Sequence, residues 1–193
     1  MASPRRIGSP DAKNRNVLLD AAEQVMLESG YAAVTSRRVA EKAGLKPQLV
    51  HYYFRTMDEL FLEMFRRRAE EGLQQQAKVL DSPNPLRALW EYSIDPAAVA
   101  VTMEFIAMAR HRDSLRAEIA RYSELFRAGQ KDAAEKILQG LGLDSDRVPP
   151  VVVSVLMTSI SRVLVMEESL GVTAGHAETV ELVEWWLRRF EGE

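Results

Sequence analysis

Side chains that can hydrogen-bond to a nucleic acid are concentrated between residues 35 and 56. An amide such as that of Gln48 can pair with adenine, and an aliphatic side chain such as Leu49 can contact the methyl group of thymine. Hydroxyl and cationic groups bind phosphate oxygens without sequence preference. These residue types predict a DNA-contacting surface formed by Thr35, Ser36, Arg37, Lys46, Pro47, Gln48, Leu49, His51, Tyr52, Tyr53, Arg55 and Thr56.

The charge of the chain is divided unevenly along its length. Residues 1–55 carry nine basic and five acidic side chains, a net charge of +4, so the remainder carries −7 of the total of −3. This total excludes a protein that is basic over its whole surface, whereas a small basic head on an acidic body is typical of local contact with a polyanion. With no cysteine and three histidines, we expect no metal and no cofactor.

Two short helices joined by a glycine turn must position these side chains. Thr35 suits the N-cap of the first helix, and Pro47 suits the first turn of the second. Gly44 lies between them and can adopt the positive φ that a tight turn requires. Small apolar residues would fill the angle between the two helices: Val39, Ala40, Ala43, Leu45 and Val50. The pattern predicts a helix-turn-helix whose second helix lies in the major groove.

Helical periodicity continues through the rest of the chain, which predicts an all-α fold. Beyond the first helix, expected from residue 11 to 29, helices are predicted near 57–80, 85–94, 96–111, 113–140, 149–170 and 174–190. We expect a three-helix DNA-binding head in residues 1–56, followed by a larger helical domain for ligand binding and dimerisation in residues 57–193.

The larger domain contains a run, residues 97–109, that is apolar except at Thr102 and Glu104. A helix that is apolar all round is expected to be buried on more than one side. Aromatic, methionine and carboxylate side chains near it are candidate ligand contacts: Trp90, Met103, Glu104, Phe105, Met108, Tyr122, Phe126 and Met157. Each could instead be ordinary core. A buried Glu104 would need a partner, which could be Arg110, Arg121 or a bound ligand.

The last two predicted helices carry long apolar stripes, which predict a homodimer. Two such helices expose more apolar surface than one chain can cover, and pairing with a second copy would form a four-helix bundle. Two heads about 34–36 Å apart would then contact a near-palindrome. Residues 148–166 are apolar but include Arg162, which favours a buried helix over a membrane span. The N-terminus has no apolar segment typical of a signal peptide, so we expect a cytoplasmic protein.

Residues 14–62 resemble the TetR family of bacterial transcriptional regulators. The resemblance is carried by Gly30, Thr35, Val39-Ala40, Ala43-Gly44, Tyr52-Tyr53-Phe54 and Asp58-Glu59-Leu60. It implies a dimeric repressor that leaves its operator when a small-molecule effector binds in the larger domain. The family usually has a small polar residue at Lys46, Gly or Ala at Gln48, Tyr at His51 and a phosphate-binding Lys at Met57.

Two other functions are compatible with parts of the sequence. The missing lysine at Met57 is compatible with a helical interaction protein that has lost DNA binding. A helical enzyme would have to use His111 with Asp113, or Glu167 with Glu168, yet no nucleophile, phosphate loop or metal-ligand spacing accompanies them. Arg5 and Arg6 could form a minor-groove arm or only a tail.

Overall fold

The computed structural model describes residues 13–143 and 146–191 and is helical throughout that part. Nine α-helices and one 3-10 turn, Tyr31–Ala33, occur there, and no strand does, so the all-α prediction is confirmed. Arg5 and Arg6 lie outside the described residues. The helices are α1 (Lys13–Ser29), α2 (Ser36–Lys42), α3 (Pro47–Tyr53), α4 (Met57–Leu80), α5 (Pro85–Ser93), α6 (Pro96–Ala109), α7 (Asp113–Gly140), α8 (Pro150–Ser169) and α9 (His176–Glu191).

The chain forms two compact units. The N-terminal unit comprises the described residues up to Ala69 together with Val101–Ile119, and the C-terminal unit comprises Glu70–Ala100 and the residues from Ala120 onward. The chain thus enters each unit twice. The boundaries between the units fall inside α4, α6 and α7. The predicted boundary after residue 56 concerns the functions of the two parts and differs from the boundaries of the compact units. The assignment of functions to residues 1–56 and 57–193 stays a prediction.

The N-terminal unit has an apolar core that fixes α2 and α3. Leu18 and Ala22 of α1 pack with Val39 of α2 and Val50 of α3, and all four side chains are buried. Full burial of one such valine or leucine contributes about 1.5–3 kcal/mol. The same core includes Phe105 of α6. The segment Val101–Ile119 therefore helps to stabilise the packing of α1, α2 and α3.

The connection between α2 and α3 is set by backbone hydrogen bonds around Gly44. The N–H of Leu45 donates to the carbonyl of Ala40, and the N–H of Gly44 donates to the carbonyl of Glu41. This paired arrangement ends a helix when the residue after its C-cap is left-handed, and Gly44 has φ of 65°. Thr35 accepts a hydrogen bond from the N–H of Arg38, as predicted for an N-cap.

The C-terminal unit has a second apolar core, formed by α5, α8 and α9. Leu89 and Trp90 of α5 are buried with Met157 of α8 and with Val183 and Leu187 of α9. Helix α5 therefore has a buried face that meets both of the last two helices.

Helices α6 and α8 are less buried than predicted. Met103 and Ile106 are exposed on α6, so this helix packs on one side rather than all round. On α8 the buried residues are Ser154, Met157, Ser161 and Val165, which lie along one helical face. By length and composition alone α8 could cross a membrane, as could α5 and α6 if they were one span despite their 64° bend.

A matched pair of glycine substitutions isolates the backbone requirement at Gly44. Apart from adjacent residues and the surrounding helix backbone, no atom of a described residue lies within 4 Å of a Cβ built on Gly44 or on the helical Gly140. Gly44→Ala should therefore lower the free energy of unfolding by about 1–2 kcal/mol through φ alone. Gly140→Ala should raise it by about 0.4–1 kcal/mol. Urea denaturation measures both, and shifts of the same sign would contradict this explanation.

Candidate nucleic-acid interface and ligand cavity

Helix α3 presents a polar face to solvent and an apolar face to the core. Gln48, His51 and Tyr52 are exposed, and their spacing of three and four residues places them on one side of the helix. Val50 is buried on the other side. The helix therefore offers an amide, an imidazole and a phenol together, which are groups able to bond base edges or phosphates.

Two of the predicted contact residues on α3 also belong to the packing of the head. Leu49 and Tyr53 are half-buried and lie against the core of the N-terminal unit. The rings of Tyr52 and Tyr53 meet edge to face, with centroids 5.0 Å apart. Consequently the surface of Leu49 and Tyr53 that is free for a partner is smaller than that of their exposed neighbours.

Some cations of the head are engaged by neighbouring side chains and others are not. Lys42 pairs with Glu28 at 2.5 Å, and Arg38 donates to the hydroxyl of Ser29. In contrast, Arg37, Lys46 and Arg55 are exposed on or beside α2 and α3, and none of them forms an ion pair with another described residue. Their positive charge remains available to a polyanion.

The remaining predicted contact residues of the helix-turn-helix lie at the starts of its two helices. Thr35 is exposed and Ser36 is half-buried where α2 begins, and Pro47 is exposed at the first position of α3. The side chain of Thr35 already caps α2, so its hydroxyl has one intramolecular bond in the absence of a partner.

The start of α4 explains one departure from the family pattern. The hydroxyl of Thr56 accepts from the N–H of Glu59, and the carboxylate of Glu59 accepts from the N–H of Arg55 at 2.8 Å. These bonds fix the backbone at the helix end. Met57, where a lysine is usual, is half-buried and packs against the core, which leaves the exposed Arg55 as the nearby cation.

The arginines at 66–68 are engaged within the N-terminal unit. Arg66 donates to Glu118 at 2.6 Å, and this hydrogen bond raises the pKa of Arg66. Arg67 pairs with Asp20, and Arg68 pairs with Glu23. All three guanidinium groups are thus paired with carboxylates, two of them on α1, so the run offers less positive charge to a polyanion than its sequence indicates.

The eight predicted ligand contacts are not brought together in one unit. Met103, Glu104, Phe105 and Met108 belong to the N-terminal unit, and the other four belong to the C-terminal unit. Phe105 and Met108 are part of the buried core, whereas Met103 is exposed. The phenol of Tyr122 donates to Glu70, and burial raises the pKa of Tyr122. The carbonyl of Phe126 accepts from the amide of Gln76.

Trp90 and Met157 do line a common cavity, which lies within the C-terminal unit. Its volume is about 160 Å³, and it is bounded by α5, α8 and α9. Leu86, Val183 and Leu187 form other parts of its wall. The cavity is thus the place in the described structure where two of the predicted ligand contacts meet.

Glu104 has a partner that the sequence does not reveal. Its carboxylate accepts the backbone N–H of Tyr31 at 2.6 Å, instead of pairing with Arg110 or Arg121. The contact joins α6 to the turn that precedes α2. A carboxylate and a backbone N–H that lie 73 residues apart carry no local sequence signal.

A chain of buried polar side chains is a second feature without a sequence signal. The hydroxyl of Ser154 donates to Gln130, and the amide of Gln130 donates to Gln76 at 2.7 Å. All three residues are buried, so each bond offsets the cost of removing a polar group from water. The chain ties α4, α7 and α8 together within the C-terminal unit.

Comparison with known proteins identifies the head. Residues 18–64 match the model of the bacterial regulatory proteins of the tetR family. This match supports a DNA-binding head of the type found in TetR-family transcriptional regulators. It is 26% identical over 144 residues to the HTH-type transcriptional regulator BetI of Rhizobium meliloti (strain 1021), covering 65% of this chain and 71% of that protein.

Two further TetR-family comparisons cover different parts of the chain. The HTH-type transcriptional repressor BepR of Brucella suis biovar 1 (strain 1330) is 33% identical over 87 residues, which are 44% of this chain and 42% of the repressor. A TetR transcription regulator from Haloarcula marismortui ATCC 43049 has the same fold, with a TM-score of 0.73 over 93% of this chain and 96% of that one, at 19% identity. Similarity to a known family model is therefore concentrated in the head, and similarity of fold extends over the body.

Substitutions at Glu104 test the contact with Tyr31. Glu104→Ala leaves the Tyr31 N–H without its acceptor and should lower the free energy of unfolding by about 1–3 kcal/mol. Glu104→Gln keeps a carbonyl oxygen and should lose only about 1 kcal/mol, because a charged acceptor is replaced by a neutral one. Equal losses in urea denaturation would contradict the expectation that a neutral carbonyl oxygen can still accept from the Tyr31 N–H.

Proposed function

We propose that this protein is a TetR-family regulator, a homodimeric, ligand-responsive repressor that binds a near-palindromic operator and releases it when a small-molecule effector binds. The single observation that supports this most strongly is the exposed face of α3, where Gln48, His51 and Tyr52 lie together on a head with cations free of ion pairs to other described residues. Regulators of the family are typically ligand-responsive repressors. Residues 1–56 act as the DNA-binding domain and residues 57–193 as the effector and dimerisation domain, in the cytoplasm.

In this proposal α3 enters the major groove and the residues around it hold the backbone. Gln48 and Leu49 face base edges. Phosphate contacts set the position of the head, and base contacts set its sequence preference. Free N–H groups at the start of α2 attract phosphate oxygens. The side chains that bind phosphates are those of Thr35, Ser36 and Arg37 at α2, Lys46, His51, Tyr52 and Tyr53 at α3, and Arg55 and Thr56 before α4. At Pro47, which has no N–H of its own, the N–H groups that follow it at the start of α3 face the phosphate backbone.

Dimerisation through α8 and α9 accounts for the apolar side chains that these helices expose. Val152, Val155 and Val163 are exposed on α8, and Leu182 and Trp185 are exposed on α9. A patch of this kind on a soluble protein usually marks an interaction site. A twofold interface would cover the same patch on both copies and give the two heads a fixed spacing.

Effector release requires a ligand that prefers the head spacing that does not fit the operator. A tenfold loss of operator affinity needs about 1.4 kcal/mol of differential binding, and the coupling must act equally in both directions. Helices α4, α6 and α7 each contribute residues to both compact units, so each provides a continuous path from the effector domain to the head.

The second candidate function, an interaction protein that has lost DNA binding, draws support from Met57. This residue packs against the core where other regulators place a cation. Salt dependence separates the two functions, because the proposed repressor should bind duplex DNA with an affinity that falls steeply as salt rises. The expected slope is about 0.9 logarithmic units of affinity per logarithmic unit of salt for each neutralised phosphate. Absence of binding at low salt would favour the second function.

Gln48 and Arg55 should affect DNA binding in different ways. Gln48→Ala removes a base contact and should cost about 1–3 kcal/mol of discrimination at one operator position. Arg55→Ala removes a phosphate contact, so it should weaken all sequences alike and reduce the salt slope by about one unit. Selection from a random duplex library, followed by anisotropy titrations, measures both effects. Identical sequence preferences in both variants would refute this assignment of roles.

The proposed dimer face can be tested with two exposed aliphatic residues of the C-terminal unit. Val163 on α8 and Leu125 on α7 have nearly the same exposure, 44% and 45%. Val163→Glu places two charges in the proposed interface, so it should give a folded monomer in sedimentation analysis. Leu125→Glu should leave the dimer intact. Monomers in neither variant, or in both, would contradict the location of the interface.

A further inference from the structure

The cavity of the C-terminal unit has walls of a single chemical type. Of the described residues that line it, all are aliphatic, aromatic or methionine, and none has a carboxylate, an amine, a guanidinium, an amide or a hydroxyl in its side chain. Val153, Ile160 and Met157 of α8 form one wall, and Trp90 of α5 forms part of another. Apart from the indole N–H groups of Trp90 and Trp186, the lining side chains therefore supply no hydrogen-bonding group, and they supply no counter-ion.

The composition of the walls determines which ligands fit. Transfer of a charged group into such a space, without a partner, is strongly unfavourable. An apolar cavity of about 150 Å³ in another protein stays dry and accepts benzene, and the volume here is about 160 Å³. Methionine and tryptophan side chains adapt to flat or flexible apolar molecules.

The depth of the cavity favours a small molecule over the partner subunit. Trp90 is 2% exposed and Leu187 is 3% exposed, so the inner wall lies well below the surface of the unit. Leu156 and Trp186 belong to the rim and are also exposed on α8 and α9. A partner helix lying on the outer faces would cover this rim and leave the deeper space unfilled.

We propose that the effector binds in this cavity and is small, uncharged and apolar, with the size of one aromatic ring or a short hydrocarbon chain. The inference rests on the proposed function, because it names the ligand class of the proposed effector domain. Since the rim belongs to the exposed face of α8 and α9, the bound molecule lies next to the dimer interface and acts on the geometry of that interface.

Toluene and benzoate provide matched probes, because they share a ring and differ in charge. Trp90 and Trp186 lie in the wall, so intrinsic fluorescence and calorimetry both report occupancy in the full-length protein. Toluene should bind saturably, and benzoate should bind at least about a hundredfold more weakly because its carboxylate finds no cationic partner in the apolar wall. Equal affinities, or no toluene binding, would overturn the proposal.

Two substitutions to phenylalanine locate the site. Val153 lines the cavity, whereas Leu125 of α7 does not line it and is 45% exposed outside the proposed dimer face. Val153→Phe fills the space and should weaken toluene binding at least about tenfold, and Leu125→Phe should bind toluene like the unmodified protein. Toluene binding that is unchanged in both variants would place the ligand elsewhere. The comparison of toluene with benzoate does not depend on whether either variant folds.

Operator binding, measured in the same samples, separates this inference from the proposed function. If the protein fails to bind DNA, the repressor function is refuted, whereas the two probes still decide the chemistry of the cavity. If toluene binds and weakens operator binding, both are supported. If toluene binds and operator affinity is unchanged, the cavity is not the effector site. If the unmodified protein does not bind toluene and Val153→Phe abolishes the dimer, the cavity is filled by a side chain of the partner subunit and the proposal is wrong.

Discussion

The geometry of the DNA-binding head depends on the left-handed backbone of Gly44. This conformation lets the N–H groups of Gly44 and Leu45 close the end of α2 and turns the chain at once into α3. Burial of Val39 and Val50 then holds the two helices against α1. The polar residues of α3 are exposed together because the opposite side of the helix is committed to that core. Local backbone chemistry and apolar packing thus combine to present one polar surface.

The second segment of the N-terminal unit, Val101–Ile119, packs against the core on which α3 lies. Phe105 of α6 is buried in the same core as α1, and Glu104 accepts the N–H of Tyr31. The ion pairs of Arg66 and Arg67 add contacts to α7 and α1. If effector binding moves α6 or α7, as proposed, these contacts would carry the movement to the turn before α2.

The helices and the head can be predicted from the sequence because caps, turns and periodicity act over a few residues. Contacts between distant segments cannot be predicted in this way. Thr35 and Pro47 act within a few residues of their positions, so residue type alone indicates their roles. The partner of Glu104 and the hydrogen bond of Ser154 join distant segments, and no periodicity encodes them. The apolar run at 97–109 predicts burial on more than one side, yet Met103 and Ile106 are exposed, because apolarity does not indicate which face has a neighbour. For the same reason the predicted ligand contacts are divided between two units.

In the proposed repressor, two copies of the protein present α3 to one duplex with a fixed spacing. Hydroxyl-radical footprinting on the operator selected by the protein measures this most directly. Two protected patches on one face of the DNA, with centres about 10–10.5 base pairs or a multiple of that apart, are the predicted result. A single protected patch, or two patches whose separation varies between bound sequences, would contradict the account.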